Sequence, residues 1–289
     1  MAALTAQQFQ ALSPDQVAAL ASNTLAGLSA TEAQQLASNQ LLALTAAQLG
    51  VISTQAAHAL SLAQLQALRS DQIGALGTAA TAVLSSTQFN ALSADDVHAL
   101  QTQQLAVLSS SVITGLGTQG LGLLTDAQWG ALGSKQTHGL TTAQIAAMAS
   151  DDVASLNTAA LLGLSTAQFV AMGANQLAGL SSSDLQALNS ADMVALTTVQ
   201  IGLLSTLQIG ALRGDQLALL NTLQLHALQN DQVGALGTSA LAGFSSLQLA
   251  AFSGDQLGRL GTSQLAVLGS NSLASLTSTQ LLAFNTQQI

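Results

Sequence analysis

Three histidines stand 40 residues apart, and such regular spacing first suggests a metal site. His58, His98 and His138 occupy the same position of a sequence repeat. If they stack on successive turns of a repeat array, their backbones lie about 8–10 Å apart, one helix diameter. Three imidazoles at that separation do not share one ion at bond lengths near 2.1 Å. We therefore predict a solvated column of histidines with no metal ligand, and we expect no cofactor.

Adjacent acidic residues form a second suggestive pattern, because paired carboxylates can support acid–base catalysis. Asp95-Asp96 and Asp151-Asp152 both fall where the repeat predicts the first turn of a helix. Negative charge there stabilises a helix N-terminus, so we predict a structural role for these pairs. Four basic residues and four histidines, with no Cys or Tyr, are spread thinly along the chain. The chain is therefore predicted not to be an enzyme.

The segment Arg213-Gly214-Asp215 spells the tripeptide that integrin-type receptors bind. The same repeat position carries the variants Arg69-Ser70-Asp71 and Ser253-Gly254-Asp255. We interpret the tripeptide as ordinary drift of the repeat. No catalytic, cofactor-binding or metal-binding residue is predicted in this sequence.

An eight-residue repeat carries all of these residues. A large apolar residue recurs every eight positions from Leu4 to Phe284, in 36 consecutive octads, and 30 of the 36 are Leu. Counting that residue as offset zero, offset five is large and apolar in 32 octads, and offset four is Gln in 23. Offset one is Ser, Thr, Asn or Gly in 29. Such an unbroken period indicates a repeat array.

The polar residues of the octad predict one short helix per repeat. Ser or Thr followed three residues later by Gln is the capping-box signature, in which each side chain hydrogen-bonds the backbone N–H near the other. Pro14 follows Ser13 and so takes the first helical position, where proline is tolerated. We predict a helix of about six residues from offset two to offset seven, with offsets zero and five buried and the polar offsets one to four exposed.

Other repeat folds fit the octad poorly. In one long helix, eight residues advance by two turns and about 80°, so the Leu stripe would wind around every face. In a β-solenoid, offsets zero and five would face opposite sides of a strand. The predicted fold is thus an all-α solenoid of short capped helices with a Leu-filled apolar interior. We expect it to continue through residues 1–289 as a single array and to be a segment of a longer chain.

A longer period overlies the octad. The aromatic residues at offset five are Phe9, Phe89, Trp129 and Phe169, and all are separated by multiples of 40 residues. We predict that five octads close one superhelical turn, so that Phe89 and Trp129 lie on neighbouring turns. The alternative is that 40 residues is only the unit of gene duplication.

The composition restricts partners and compartment. The net charge is −9, with only 6% charged residues, which disfavours nucleic acid and anionic membranes as partners. No apolar run approaches the 18 or so residues needed to span a bilayer. Absence of Cys is compatible with secretion, and no signal peptide precedes the first octad in this segment.

The phrase Leu140–Met148, Leu-Thr-Thr-Ala-Gln-Ile-Ala-Ala-Met, with its neighbours resembles a known class of repeat. It is similar to the Leu-Thr-x-x-Gln-Val/Ile-x-Ala-Leu octapeptide tracts of very large proteobacterial surface proteins, often described as haem-utilisation or adhesion proteins. The resemblance implies an extracellular or cell-surface location and a structural or adhesive role. No haem-ligand motif is carried over.

The predicted function is a non-catalytic rod or spacer in a secreted, adhesin-like protein. Other copies of the chain, joined end to end, or other surface proteins are the expected partners, with no nucleic acid and no membrane insertion. Two alternatives stay open: a binding or self-assembly module for a repetitive ligand such as a glycan, ice or a partner protein, and an engineered repeat protein.

Overall fold

The computed structural model describes residues 6–288, and in that part of the chain every regular element is a short α-helix. Each helix has four to six residues, and each of the 35 complete octads from Leu4 to Ala283 has one, as the sequence predicts. The 35 helices are α1 Ala6–Gln10, α2 Pro14–Ala18, α3 Ser22–Ala26, α4 Ala30–Gln35, α5 Ser38–Ala43, α6 Ala46–Leu49, α7 Thr54–Ala59, α8 Leu62–Ala67, α9 Ser70–Gly74, α10 Thr78–Ala82, α11 Ser86–Phe89, α12 Ala94–Ala99, α13 Thr102–Ala106, α14 Ser110–Gly115, α15 Gly117–Leu121, α16 Asp126–Gly130, α17 Ser134–His138, α18 Thr142–Ala147, α19 Ser150–Ser155, α20 Thr158–Leu161, α21 Thr166–Val170, α22 Ala174–Gly179, α23 Ser182–Ala187, α24 Ser190–Ala195, α25 Thr198–Leu203, α26 Thr206–Ala211, α27 Gly214–Leu217, α28 Thr222–His226, α29 Asn230–Gly234, α30 Thr238–Leu241, α31 Ser246–Ala250, α32 Gly254–Leu257, α33 Thr262–Ala266, α34 Ser270–Ala274 and α35 Ser278–Leu281.

The predicted capping boxes form. Ser205 precedes α26 with extended backbone, its hydroxyl accepts the Gln208 N–H at 3.2 Å, and the Gln208 Oε1 accepts the Ser205 N–H at 2.8 Å. Pro14 is the first residue of α2, behind the cap Ser13. Where the cap is Ala37, only the half supplied by Gln40 remains, and its Oε1 accepts the Ala37 N–H at 3.0 Å. Gln at offset four therefore caps the helix whatever residue stands at offset one.

In most of the six-residue helices the large residue at offset zero is the C-cap. Leu212 closes α26 with φ −62° and ψ 137°, outside the helical region, while its N–H still donates to the Ile209 carbonyl. The extended backbone turns its side chain into the core, where it is 4% exposed. Offsets zero and five are buried along nearly all of the described chain, as predicted, and Trp129 and Phe89 are 1% exposed.

Two compact units are present, the first made of residues 1–148 and 155–163 and the second of residues 149–154 and 164–289. Within the first unit, α4 packs on α7, α9 on α12 and α2 on α5; within the second, α23 packs on α26 and α31 on α34. Each of these pairs is three octads apart. The continuity of residues 1–289 as a single solenoid stays a prediction.

The predicted five octads per turn is wrong. Close packing joins helices three octads apart, and the side chain of Gln48 hydrogen-bonds to carbonyls 28 and 31 residues earlier. One turn therefore holds between three and four octads, and Phe89 and Trp129, five octads apart, do not lie on such a packed helix pair. The physical reason is that long-range hydrogen bonds and close backbone contacts set the turn, and the 40-residue aromatic period does not encode them.

Candidate functional site

The glutamine at offset four is buried, which contradicts its predicted place on the exposed polar face. Gln208 shows what it does. Its Oε1 caps its own helix, while its Nε2 donates to the carbonyl oxygens of Leu177 at 2.7 Å and Leu180 at 2.8 Å. Those carbonyls belong to the end of the helix four octads earlier, where the helix has too few N–H groups for its last carbonyls; that of Leu177 also accepts the Leu180 N–H at 3.2 Å. We call this pair of contacts the glutamine bridge.

The same bridge recurs along the described chain. Its members share an Nε2 that donates to carbonyls 28 to 31 residues earlier: Gln40, Gln48, Gln64, Gln72, Gln88, Gln104, Gln128, Gln136, Gln144, Gln200, Gln208, Gln216, Gln224, Gln232, Gln248, Gln256, Gln264, Gln280 and Gln288. A satisfied buried amide fixes the register of the turns, because an unpaired one would cost about 1–3 kcal/mol.

Where offset four lacks Gln, the cap residue sometimes supplies the donor. Ala160 follows the cap Asn157, whose Nδ2 donates to the Gly130 and Leu132 carbonyls at 2.9 and 2.8 Å. Ala56 follows Ser53, whose hydroxyl donates to the Leu28 carbonyl at 2.8 Å. The helix-end carbonyls of the preceding turn thus attract a donor even when the glutamine is absent.

The paired acids lie at helix starts, as predicted. The Asp96 and Asp152 carboxylates accept the cap N–H groups of Ser93 and Ala149, at 2.9 and 2.7 Å. An aspartate in this position caps the helix but cannot complete the bridge, because an ionised carboxylate has no donor. Burial raises the pKa of Asp192, which also stands at offset four, and the hydrogen bond with Asn189 opposes that shift.

The histidines make contacts between turns. His58 Nδ1 lies 3.0 Å from the Val83 carbonyl oxygen and His226 Nδ1 lies 3.2 Å from that of Ala251, in each case 25 residues ahead. Asn90 Nδ2 donates from the same offset to the Gly115 carbonyl at 2.7 Å. Offset six therefore ties a helix to the next turn, a contact that the sequence did not indicate. The predicted stacking of His58, His98 and His138 in one column is wrong, because it required five octads per turn. Residues 6–288 contain no group of three or more His, Cys, Asp or Glu placed to hold a metal ion.

The Arg213-Gly214-Asp215 tripeptide is engaged within the fold. Arg213 Nε lies 3.0 Å from Asp215 Oδ1, and Arg213 Nη1 donates to the Gln186 carbonyl of the preceding turn. Hydrogen bonding to Arg213 lowers the pKa of Asp215. Arg69 and Asp71 repeat the arrangement at 2.9 Å. Both pairs are exposed, so each stabilises the fold only slightly, and the recurrence supports the interpretation of the tripeptide as a repeat variant.

Two surface features remain in the second unit. A polar groove of about 640 Å³ is lined by residues that include His226, Asn230, Asp231 and Arg259. The other is a set of apolar residues at offset three, where the rest of the chain carries small or polar side chains. Its members are Val199, Leu207, Leu223 and Leu247, whose exposed fractions are 69, 81, 71 and 77%.

With the octad geometry established, the chain can be compared with known proteins. Three stretches match the ALTTAQ repeat family. They are residues 145–182, 178–214 and 225–262, somewhat more than a third of the chain. This similarity supports a tandem repeat tract. The last five letters of the family's name, LTTAQ, spell residues 140–144 of this chain. No curated protein sequence is significantly similar to the chain.

The stretches similar to ALTTAQ contain octads with the glutamine bridge and octads whose offset four is Asp or Ala, such as those of Asp184, Asp192 and Ala240. Gln200, Gln208 and Gln232 all lie within the matched stretches and all bridge. The sequence predicted that the Gln at offset four caps its own helix, but it did not predict that the same side chain donates to carbonyls of the preceding turn. No helix within residues 6–288 has the length and apolar character required to cross a bilayer.

Proposed function

We propose that this chain is a non-catalytic structural region, a rod or spacer segment of a secreted or cell-surface, adhesin-like protein. The glutamine bridge carries this proposal. In each regular octad the three buried positions, offsets zero, four and five, all hold the array together, and the exposed positions are mostly small and uncharged. Repeats of this kind gain stability from their neighbours rather than from a core of their own.

The test of the spacer role uses the full protein that contains this chain. Changing the exposed offset-three residues to Ala, among them Asp95, Lys135 and Asp215, should leave adhesion by that protein intact. A spacer depends on the packed interior that keeps it folded and not on the chemistry of its surface. Deleting the region should abolish adhesion. Loss of adhesion in the Ala variant would contradict a spacer and favour a binding surface.

The proposed location rests on the similarity to octapeptide tracts of surface proteins. An antibody against this chain should label intact cells of the organism that produces it. Labelling that requires permeabilised cells would contradict a surface location while leaving the structural role open to the substitution test.

A second candidate is a self-assembly or binding module, and the exposed apolar residues favour it. Val199, Leu223 and Leu247 lie on α25, α28 and α31, which pack consecutively three octads apart. They therefore form a stripe across neighbouring turns, the kind of exposed patch that marks interaction surfaces. If the stripe mediates self-association, Leu223→Asp should lower the association constant in sedimentation experiments. Leu62→Asp, at an exposed leucine outside the stripe, should not.

A further inference from the structure

The octad that begins at Leu116, in the first unit, lacks every part of the glutamine bridge, as does the octad of Gly77 and Ala80. Gly120 stands at offset four and Gly117 at offset one, the usual cap position, so neither has a side chain that can donate or accept. Gly117 also has φ +63°, the only left-handed residue among those described, and it is the first residue of α15, whereas the residue at offset one elsewhere is an extended cap, as Thr125 is before α16. This octad departs from the repeat both in sequence and in backbone.

A groove of about 390 Å³ lies where the missing glutamine would reach. Its walls include Phe89, Asn90 and Leu92, together with Leu116 and Gly120. In a regular octad the bridge from position 120 would run to the carbonyls of residues 89, 90 and 92, the same separations that Gln88 uses to reach Ala57, His58 and Leu60. The groove is thus the vacancy left by one absent side-chain amide.

The acceptors beside this vacancy lack their usual donor. Among the described residues, the Leu92 carbonyl has no hydrogen-bond partner, and the Phe89 carbonyl accepts only from the Leu92 N–H. At Ala160 and Ala56 the chain fills the equivalent need with Asn157 and Ser53. Gly117 cannot do so, because it has no side chain.

We propose that this groove binds a primary carboxamide, the chemical group of a glutamine side chain. The amide nitrogen donates its two hydrogens to the Phe89 and Leu92 carbonyls, as Nε2 does in the regular octads. The apolar walls, including Leu116 and Leu123, disfavour a charged donor, because an ammonium or guanidinium group would lose hydration there. A neutral amide on a short aliphatic chain suits both features of the groove. The proposal is independent of the spacer role.

The experiment is a titration of the ¹⁵N-labelled full chain with propionamide, followed by NMR chemical shifts. We expect saturable shifts centred on Gly120 and the Asn90 backbone, with weak affinity, since only two hydrogen bonds and a small apolar contact are gained. N,N-Dimethylpropionamide keeps the carbonyl and the alkyl group but has no N–H. It should bind at least about tenfold more weakly, the effect of losing roughly one net hydrogen bond.

Variants locate the site. Gly120→Gln gives the chain its own amide in the groove and should abolish the propionamide shifts. A Cβ at position 120 would lie 3.1 Å from Leu116 Cβ, so the Leu116 side chain must shift slightly. If that variant does not fold, Leu123→Trp covers the groove instead and should have the same effect. Thr118→Ala, at an exposed position that is not part of the lining, should keep the shifts. The proposal would be overturned if both amides bound equally, if no saturable shift appeared, or if the shifts persisted when the groove is filled. It would also be overturned if propylammonium bound more tightly than propionamide, since the groove would then be a cation site.

Discussion

The Nε2 of Gln208 lies 2.7 Å from the carbonyl oxygen of Leu177, 31 residues earlier in the chain. The Oε1 of the same side chain accepts the N–H of Ser205, three residues earlier. One amide thus closes the start of its own helix and the end of a helix on the preceding turn. A helix of four to six residues is too short to be stable alone, and this double contact links its formation to the stacking of turns.

Replacing the donor half of one bridge should destabilise the fold strongly. Gln208→Glu keeps a carboxylate oxygen for the Ser205 N–H, as Glu32 does for Ser29, but sets a negative charge against two carbonyl oxygens. We expect the free energy of unfolding at pH 7 to fall by about 2–4 kcal/mol, the range for a buried group that loses its partners. Urea denaturation measures it. Gln103→Glu, at an exposed offset-three position, is the control and should change it by less than about 0.5 kcal/mol.

A close approach between two turns, at Gly163, leads to the next prediction. A Cβ on Gly163 would lie 2.4 Å from Ser134 Cα on the preceding turn, whereas a Cβ on Gly243, at the same offset, meets nothing nearer than 3.4 Å. Gly163→Ala should therefore cost about 1–3 kcal/mol, since the backbone must shift. Gly243→Ala should be neutral or slightly stabilising. Equal effects of the two substitutions in thermal denaturation would show that the turns do not approach so closely.

Burial raises the pKa of Asp192 above its ordinary value of 3.8, and this determines the sign of a pH effect. The folded state holds the proton more tightly than the unfolded state, so the group favours folding below pH 3.8 and disfavours it once pH rises through the folded pKa. Asp192→Asn removes the charge. It should raise the free energy of unfolding at pH 7, and the gain should shrink at pH 3. Asp95→Asn, which makes the same change at an exposed position of the first helical turn, is the control.

The octad was sufficient to predict the short helices, the caps and the buried offsets, because each depends on contacts within one repeat. The sequence also contained a pattern that indicates the glutamine bridge. Offset one varies among Ser, Gly, Ala and Arg, as at Ala37 and Arg69, while offset four remains Gln in 23 octads. A residue that only capped helices would vary with its partner. Gln40 is retained beside Ala37 because its Nε2 also binds the Leu12 carbonyl 28 residues earlier.

The number of octads per turn could not be predicted in the same way. It depends on which carbonyl the amide of Gln48 reaches and on where backbones such as Gly163 and Ser134 meet. Neither choice leaves a period in the sequence. The 40-residue spacing of Phe89 and Trp129 suggested a column of stacked side chains. Their helices do not pack on each other, and the spacing is consistent with a unit of gene duplication.

Trp129 offers a test of both the packing and the number of octads per turn. It is 1% exposed, and its Nε1 has no hydrogen-bond partner within residues 6–288. Trp129→Phe removes that unpaired donor along with some apolar area, two opposing effects, so we expect a net change within about 1 kcal/mol of zero. Trp129→Ala instead opens a cavity and should cost about 3–5 kcal/mol.

The helices that the cavity loosens distinguish five octads per turn from three to four octads per turn. Trp129 lies on α16, which packs on α13, three octads earlier. In Trp129→Ala, amide hydrogen exchange should therefore accelerate in α13 more than in α11, which carries Phe89 five octads earlier, because a cavity loosens the elements that line it. Phe89→Ala provides the reciprocal control and should accelerate exchange in α14, with which α11 packs, more than in α16. If α11 and α16 instead respond to each other's cavities more strongly than α13 and α14 do, then five octads per turn would be right after all.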